Sequence, residues 1–151
     1  MITRAARVHD ADEVVRLAAL MYATMDHDVT NPVWLRAARD AFVGRLGADL
    51  AVFVVDAPDR VGLIACGAGT ISARLPAPNN LSARVGYIQW VATDAIARGQ
   101  GCGRAVMHAL LEWYEAQDVR MVELHATADG EPLYRDLGFS DEGPVALRRR
   151  R

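Results

Sequence analysis

In the stretch ARGQGCGRAVMHALLEWY, Ala97 to Tyr114, three glycines at alternate positions stand directly before an amphipathic helix pattern. Val106, Ala109, Leu110 and Trp113 repeat at the i, i+3, i+4, i+7 spacing of a buried helical stripe. The run before the glycines, RVGYIQWVAT, is built from strand-forming residues. A strand, a tight turn and a helix in that order aim the free N–H groups of the helix start past the strand end. Such a terminus attracts anions, because unpaired donors and the helix dipole act together. Gly99, Gly101 and Gly103 remove side chains from the approach and permit left-handed dihedrals. No acidic residue occurs from Ala95 to Leu111, whereas Arg98 and Arg104 bracket the glycines. Arg104 in the first turn opposes the dipole by about 0.3–1 kcal/mol, a cost that a bound polyanion reverses.

The remaining elements interleave around this unit. ITRAARV reads as a first strand. HDADEVVRLAALMY follows as a helix, with Asp10 and Glu13 spaced as a capping box and Val14, Leu17, Ala18 and Met21 on one stripe. A second helix starts after Asn31-Pro32 and ends near Gly44 to Gly47. LAVFVVD and VGLIACGAGTISARL form a hairpin around APDR, and PAPNN is a loop. RMVELHAT is a strand, EPLYRDLG a short helix and PVALRR a last strand. With no linker or repeat, residues 1–151 read as one domain of α/β (α+β) class, a mixed sheet covered by helices.

Composition excludes several functions. All 17 basic residues are arginine, so Schiff-base chemistry and a Walker-type lysine are ruled out. Four of the 17 are the terminal Arg148 to Arg151, leaving 13 against 19 acidic groups, which is the wrong balance for a nucleic-acid face. No apolar run has the length of a membrane span, and MITRAARVHDADEVV lacks a signal-peptide core, so the cytoplasm is the expected location. Cys66 and Cys102 suit neither a disulfide framework nor a zinc site, and no metal is expected. A homodimer is admitted but not required.

The glycine spacing fits neither G-x-G-x-x-G nor Walker A. Arg98-x-x-Gly101-x-Gly103 instead resembles the acetyl-CoA signature Q/R-x-x-G-x-G/A of the GNAT acetyltransferase superfamily. YIQWVATD resembles that family's fourth strand, although Asp94-Ala95 lacks the usual proline of its His/Asp-Pro pair. VELHATADGEPLYRDLGF resembles the fifth strand, the following loop and helix, and the LY-x-x-LGF ending. The resemblance is close from about Gly86 to Phe139 and extends to the N-terminal half only in element order.

This resemblance implies a sheet whose parallel fourth and fifth strands splay apart to admit the pantetheine arm of acetyl-CoA. Val91 and Thr93 would pair with pantetheine, while Arg98, Gly99, Gln100, Gly101, Cys102, Gly103 and Arg104 would surround the pyrophosphate. Guanidinium forks suit phosphate oxygens. The implied activity is direct transfer of an acetyl group to an amine in a ternary complex, so Cys102 is expected to be a packing residue and not an acyl carrier. A backbone N–H near Val91 would polarise the carbonyl. Tyr134 matches the family's general acid, its ordinary pKa near ~10 lying not far above that of a thiol.

The proton acceptor is less defined. Gln89 takes the place where many relatives carry glutamate, and an amide cannot accept a proton, which leaves it to position water or substrate. Alternation on the fifth strand sets His125 beside Glu123 on one face, and imidazole titrates near neutrality. Asp26 and Asp28, between the first two helices, are placed to attract a cationic amine, while Trp34, Tyr87 and Trp90 are pocket or core aromatics. Two rivals stand beside an N-acetyltransferase: a catalytically idle acyl-CoA-binding or regulatory module on the same fold, and a binder of another nucleotide phosphate.

Overall fold

A computed structural model describes residues 1–151 as one five-stranded sheet in the order β1-β2-β3-β4-β5. β1 is Arg4–Ala5, β2 Leu50–Asp56, β3 Leu63–Ala73, β4 Arg84–Thr93 and β5 Met121–Leu124. The first four strands run antiparallel to their neighbours, and β4 and β5 are parallel. Helices α1 (Ala11–Ala23) and α2 (Pro32–Arg45) cover one side, and α3 (Cys102–Ala116) covers the other. The short α4, Glu131–Asp136, follows β5. No helix is long and apolar enough to cross a membrane.

Most elements follow the sequence pattern, and the departures have local causes. β1 shrinks to two residues: the Ala6 amide still donates to the Val52 carbonyl at 2.8 Å, and the Val8–Asp10 turn then begins. The capping box is not made. Asp10 instead accepts hydrogen bonds from Arg4 at 2.8 and 3.0 Å and from the Arg7 amide at 2.7 Å, while Glu13 accepts from the Leu63 amide at 2.9 Å. α2 is capped as its sequence predicts, with Asn31 Oδ1 accepting from Val33 N–H and Pro32 in the first turn. The buried face of α3 is rotated from the predicted stripe: Cys102, Val106, Met107, Leu110 and Tyr114 are buried, and Ala109 and Trp113 are half-buried. Tyr114 takes the core position because Gly69 and Gly86 leave room beneath its ring. PVALRR forms no strand; Val145 and Leu147 are exposed.

Two irregularities shape β4. Opposite Gly67 the β3–β4 register slips, and Trp90 adopts a left-handed φ of 57°. This bulge turns Trp90 toward the α1 side, where it packs on the core of Val14, Leu17 and Phe42, while Ile88 and Val91 face α3. The β4–β5 ladder also stops at Ile88↔Leu124, although β4 continues to Thr93. A clamp of four charged residues fixes that free end. Asp94 receives Arg16 at 3.3 Å and Arg60 at 3.0 Å, and both arginines also reach the Leu63 carbonyl and pair with Glu13.

Candidate active site

Past Ile88 the two parallel strands part, and the gap opens into a cavity of about 530 Å³. The amide of Asp94 donates to Ile64 of β3 at 2.8 Å. By strand alternation Ala92 also faces β3, so Val91 and Thr93 turn their backbone groups to the open edge. Both line the cavity, with Met21 and Thr24 from the end of α1 opposite them.

The glycine turn forms the next wall. Gly99 and Gly101 have φ of 76° and 85°, a region that side chains disfavour, although a Cβ at either would meet nothing within 4 Å. Their glycines therefore serve the turn's dihedrals and keep its outer face open. Gly103 is helical, and there a Cβ would come within 3.4 Å of Leu133 of α4. The first amide of this helix with a backbone partner is Ala105, which donates to Gly101 at 3.0 Å. Every N–H from Gly99 to Arg104 lacks a protein acceptor, and all of these residues but Gln100 border the cavity. Unpaired amides at a helix start are able to donate to an oxyanion.

The charged and titratable groups differ in how free they are. Arg98 is exposed and holds no carboxylate. Arg104 lies 2.7 Å from Asp136, so the cation in the first turn already has a counter-charge and does not by itself demand a bound anion. Gln100 turns its side chain back to the Ile96 carbonyl at 3.3 Å and is not among the lining residues. Cys102 is buried with Sγ 3.8 Å from the Ala97 carbonyl, and burial pushes its thiol upward in pKa, which makes it a poor nucleophile. Tyr134 lines the cavity, makes no hydrogen bond to protein, and packs edge-on to Phe139 at 6.2 Å. Burial raises its pKa, so the phenol stays a proton donor at neutral pH.

Of the residues singled out in the sequence, the cavity gathers Val91, Thr93, Arg98, Gly99, Gly101, Cys102, Gly103, Arg104 and Tyr134. Gln89 and His125 stand elsewhere, toward the α1 side of the sheet. Gln89 is exposed although it lies on a central strand. His125 falls one residue beyond β5, which ends at Leu124. Its Nδ1 is 2.5 Å from Tyr87 Oη, and its Nε2 is 3.2 Å from Arg148 Nη2. Glu123 is held by Arg74 at 2.9 and 3.1 Å. Asp28 accepts from the Thr30 amide and hydroxyl, so it closes its own turn. Sequence reasoning missed Met21, Thr24, Thr127, Asp129, Gly130 and Leu133, which reach the cavity from α1 and the β5–α4 loop. Only their position after a predicted helix or strand end could have marked them.

The chain matches the acetyltransferase (GNAT) family over residues 18–139. Glucosamine 6-phosphate N-acetyltransferase 1 of Oryza sativa subsp. japonica is 30% identical over 105 residues, covering 70% of this chain. The chain spans 62% of that relative's length. A predicted acetyltransferase of Clostridium acetobutylicum, solved with acetyl-CoA, superposes with a TM-score of 0.85 at 21% identity, over 97% of this chain and 95% of the other. A GCN5-related N-acetyltransferase of Ralstonia eutropha JMP134 gives 0.84 at 23% identity, over 98% and 97%. These likenesses establish the same fold.

Proposed function

This chain belongs to the GNAT acetyltransferase family, and from that membership we propose an enzyme that moves an acetyl group from acetyl-CoA directly to a primary amine of a small molecule or peptide. The observation that carries the reading is the row of unpaired amides from Gly99 to Arg104 on the same cavity as the free Tyr134 phenol. Acetyl-CoA supplies the activated thioester. The chain's residues bind and orient it: the amide row and Arg98 hold the pyrophosphate, and the open edge of β4 at Val91 and Thr93 pairs with the pantetheine amides. The Val91 region donates a backbone hydrogen bond to the carbonyl oxygen. Tyr134, kept protonated by burial, gives its proton to the departing sulfur.

Gln89 cannot accept a proton but is open to solvent, and it orients a water or the amine. His125 is the candidate base. A guanidinium can only donate, so Arg148 obliges Nε2 to accept and Nδ1–H to point at Tyr87 Oη. Its Nε2 lone pair becomes free once Arg148 moves away. Cys102 has no acyl-carrying role. The rice relative's name makes glucosamine 6-phosphate the first acceptor to try.

The test pairs calorimetry of coenzyme A with an amine-library screen that follows thiol release from acetyl-CoA. Micromolar binding that Gly101→Asp abolishes, with thiol release dependent on an amine, is the expected result. Tighter binding of ATP or NAD than of coenzyme A would overturn the reading. Binding without transfer to any amine would reduce the protein to an acyl-CoA-binding module.

A further inference from the structure

Arg148, Tyr87 and His125 form a cluster on the α1 side of the sheet that coenzyme A recognition does not use. Two chain adjacencies place it next to the cavity. Tyr22, which lies near Tyr87, directly follows the cavity residue Met21; His125 lies two residues before the cavity residue Thr127. Gln89 and Tyr87 share this face of β4, and Gln89 is exposed there, so solvent reaches the sheet beside the cluster. Tyr22 and Trp34 stack edge-on at 5.7 Å, and Tyr22 meets His27 at 5.6 Å, which lines the neighbouring helices with flat apolar surface.

Within that setting Arg148 is an exposed cation that pairs with no carboxylate. Its recorded partner is a neutral imidazole nitrogen at 3.2 Å, which uses one of five donors. The carboxylate closest in sequence to His125 is Glu123, and Arg74 occupies it with two hydrogen bonds. Arg4, Arg16, Arg39, Arg45, Arg60 and Arg135, by contrast, all hold a carboxylate. Arg98 beside the glycine turn shares the unpaired condition, and the proposed function gives it an oxyanion to bind. A planar fork with free donors selects a phosphate or carboxylate in the same way.

We propose that the acceptor amine carries an oxyanion, phosphate or carboxylate, and that Arg148 is the residue that binds it. This deepens the acetyl-transfer reading and rests on it. When the anion arrives, Arg148 leaves His125 Nε2. Nδ1–H stays on Tyr87 Oη, and the Nε2 lone pair is left open to a proton. The acceptor's charge thereby both docks the substrate and frees the proton acceptor.

The experiment compares kcat/KM for two matched pairs, glucosamine with glucosamine 6-phosphate and propylamine with β-alanine, in the full-length chain and in Arg148→Gln. At least one anionic member is expected to exceed its neutral partner by roughly ten- to hundredfold, the scale of a charge-assisted contact. Arg148→Gln brings that ratio toward one, and Arg150→Gln leaves it in place. The pair that responds tells phosphate from carboxylate. Equal rates within both pairs, survival of the preference in Arg148→Gln, or an equal loss in Arg150→Gln would each overturn the proposal. If no amine is acetylated while coenzyme A binds, the acetyl-transfer reading is the one that fails. The anion site is then judged by the 15N shift of His125 Nε2 during an inorganic phosphate titration of the coenzyme A complex. A shift that Arg148→Gln removes sustains the site, and an unmoved resonance refutes it.

Discussion

Arg104 reaches from the first turn of α3 to Asp136 at the end of α4, with Nη1 and Oδ2 2.7 Å apart. The pair offsets a cation that sits against the helix dipole and ties two walls of the cavity together. Both side chains are about half exposed, so the contact itself contributes on the order of 0.2–1 kcal/mol. Asp136→Asn releases the guanidinium toward the anion site while barely changing stability. Calorimetry should show coenzyme A binding tightened by roughly two- to fivefold, a gain that fades at high salt. Arg98→Gln, which removes a cation with no carboxylate of its own, should weaken binding by about 1.5–3 kcal/mol. Wild-type affinity in both variants would contradict the placement of the anion.

Tyr134 lies over Gly130, where an added Cβ would approach the ring at 2.9 Å. Gly130 has φ −85° and ψ −24°, which alanine accepts, so the strain falls on the tyrosine and not on the backbone. Gly130→Ala should displace the phenol and lower kcat by about tenfold, since ångström-scale misplacement of a reacting group carries penalties of that order. Tyr134→Phe should lower kcat by roughly 10²–10⁴. Coenzyme A affinity is expected to stay within about twofold in both. A loss of binding in step with kcat would assign Tyr134 to packing.

The LY-x-x-LGF segment was legible through its family resemblance, and the glycine turn and the helix after it were legible because backbone geometry and an apolar period leave marks in single residues. Asn31-Pro32 announced its helix start for the same reason, and α2 begins there. Asp10 and Glu13 misled because a carboxylate at a helix start serves a cap or a distant guanidinium equally well, and only the fold brings Arg4 and the Leu63 amide within reach. The α3 stripe was off by part of a turn, since Gly69 and Gly86 on other strands decide where Tyr114 fits. The bulge at Trp90 left no local signal at all. PVALRR has the alternation of a strand but finds no partner, which no pattern within one segment can reveal.

Gly86 supports Tyr114 from below, and the phenol oxygen lies 3.0 Å from the carbonyls of Thr70 and Tyr87. A methyl group at position 86 would enter the ring itself, in a core where Tyr114 is 1% exposed. Gly86→Ala should cost about 1–3 kcal/mol by overpacking. At roughly 2–4 °C per kcal/mol for a chain of this size, the expected fall in Tm is some 2–12 °C. Tyr114→Leu removes the ring, and in that background Gly86→Ala should cost far less, a coupling that thermal melts of the four proteins measure. Additive effects would place the strain elsewhere.

Asp10 is the one charged residue of the buried set, and its carboxylate gathers Arg4 and the Arg7 amide while Arg4 also holds Asp56 at 2.9 Å. The Arg4 hydrogen bonds hold Asp10 below the usual carboxylate range, against the opposing effect of burial. A carboxylate depressed in the folded state stabilises the fold fully above its unfolded value near ~4 and loses that contribution as the pH falls through its folded value. Asp10→Asn removes the ionised acceptor and leaves Arg4 with Asp56 alone. At pH 7 the variant should be less stable by about 1–3 kcal/mol in urea unfolding, a figure below that of a fully buried pair because Arg4 is partly exposed. The difference should persist down to about pH 5 and shrink at lower pH, as wild-type Asp10 takes up a proton and becomes as neutral as the asparagine. A gap between the two proteins that stays constant from pH 7 to pH 2 would show that Asp10 acts through shape and not through its charge.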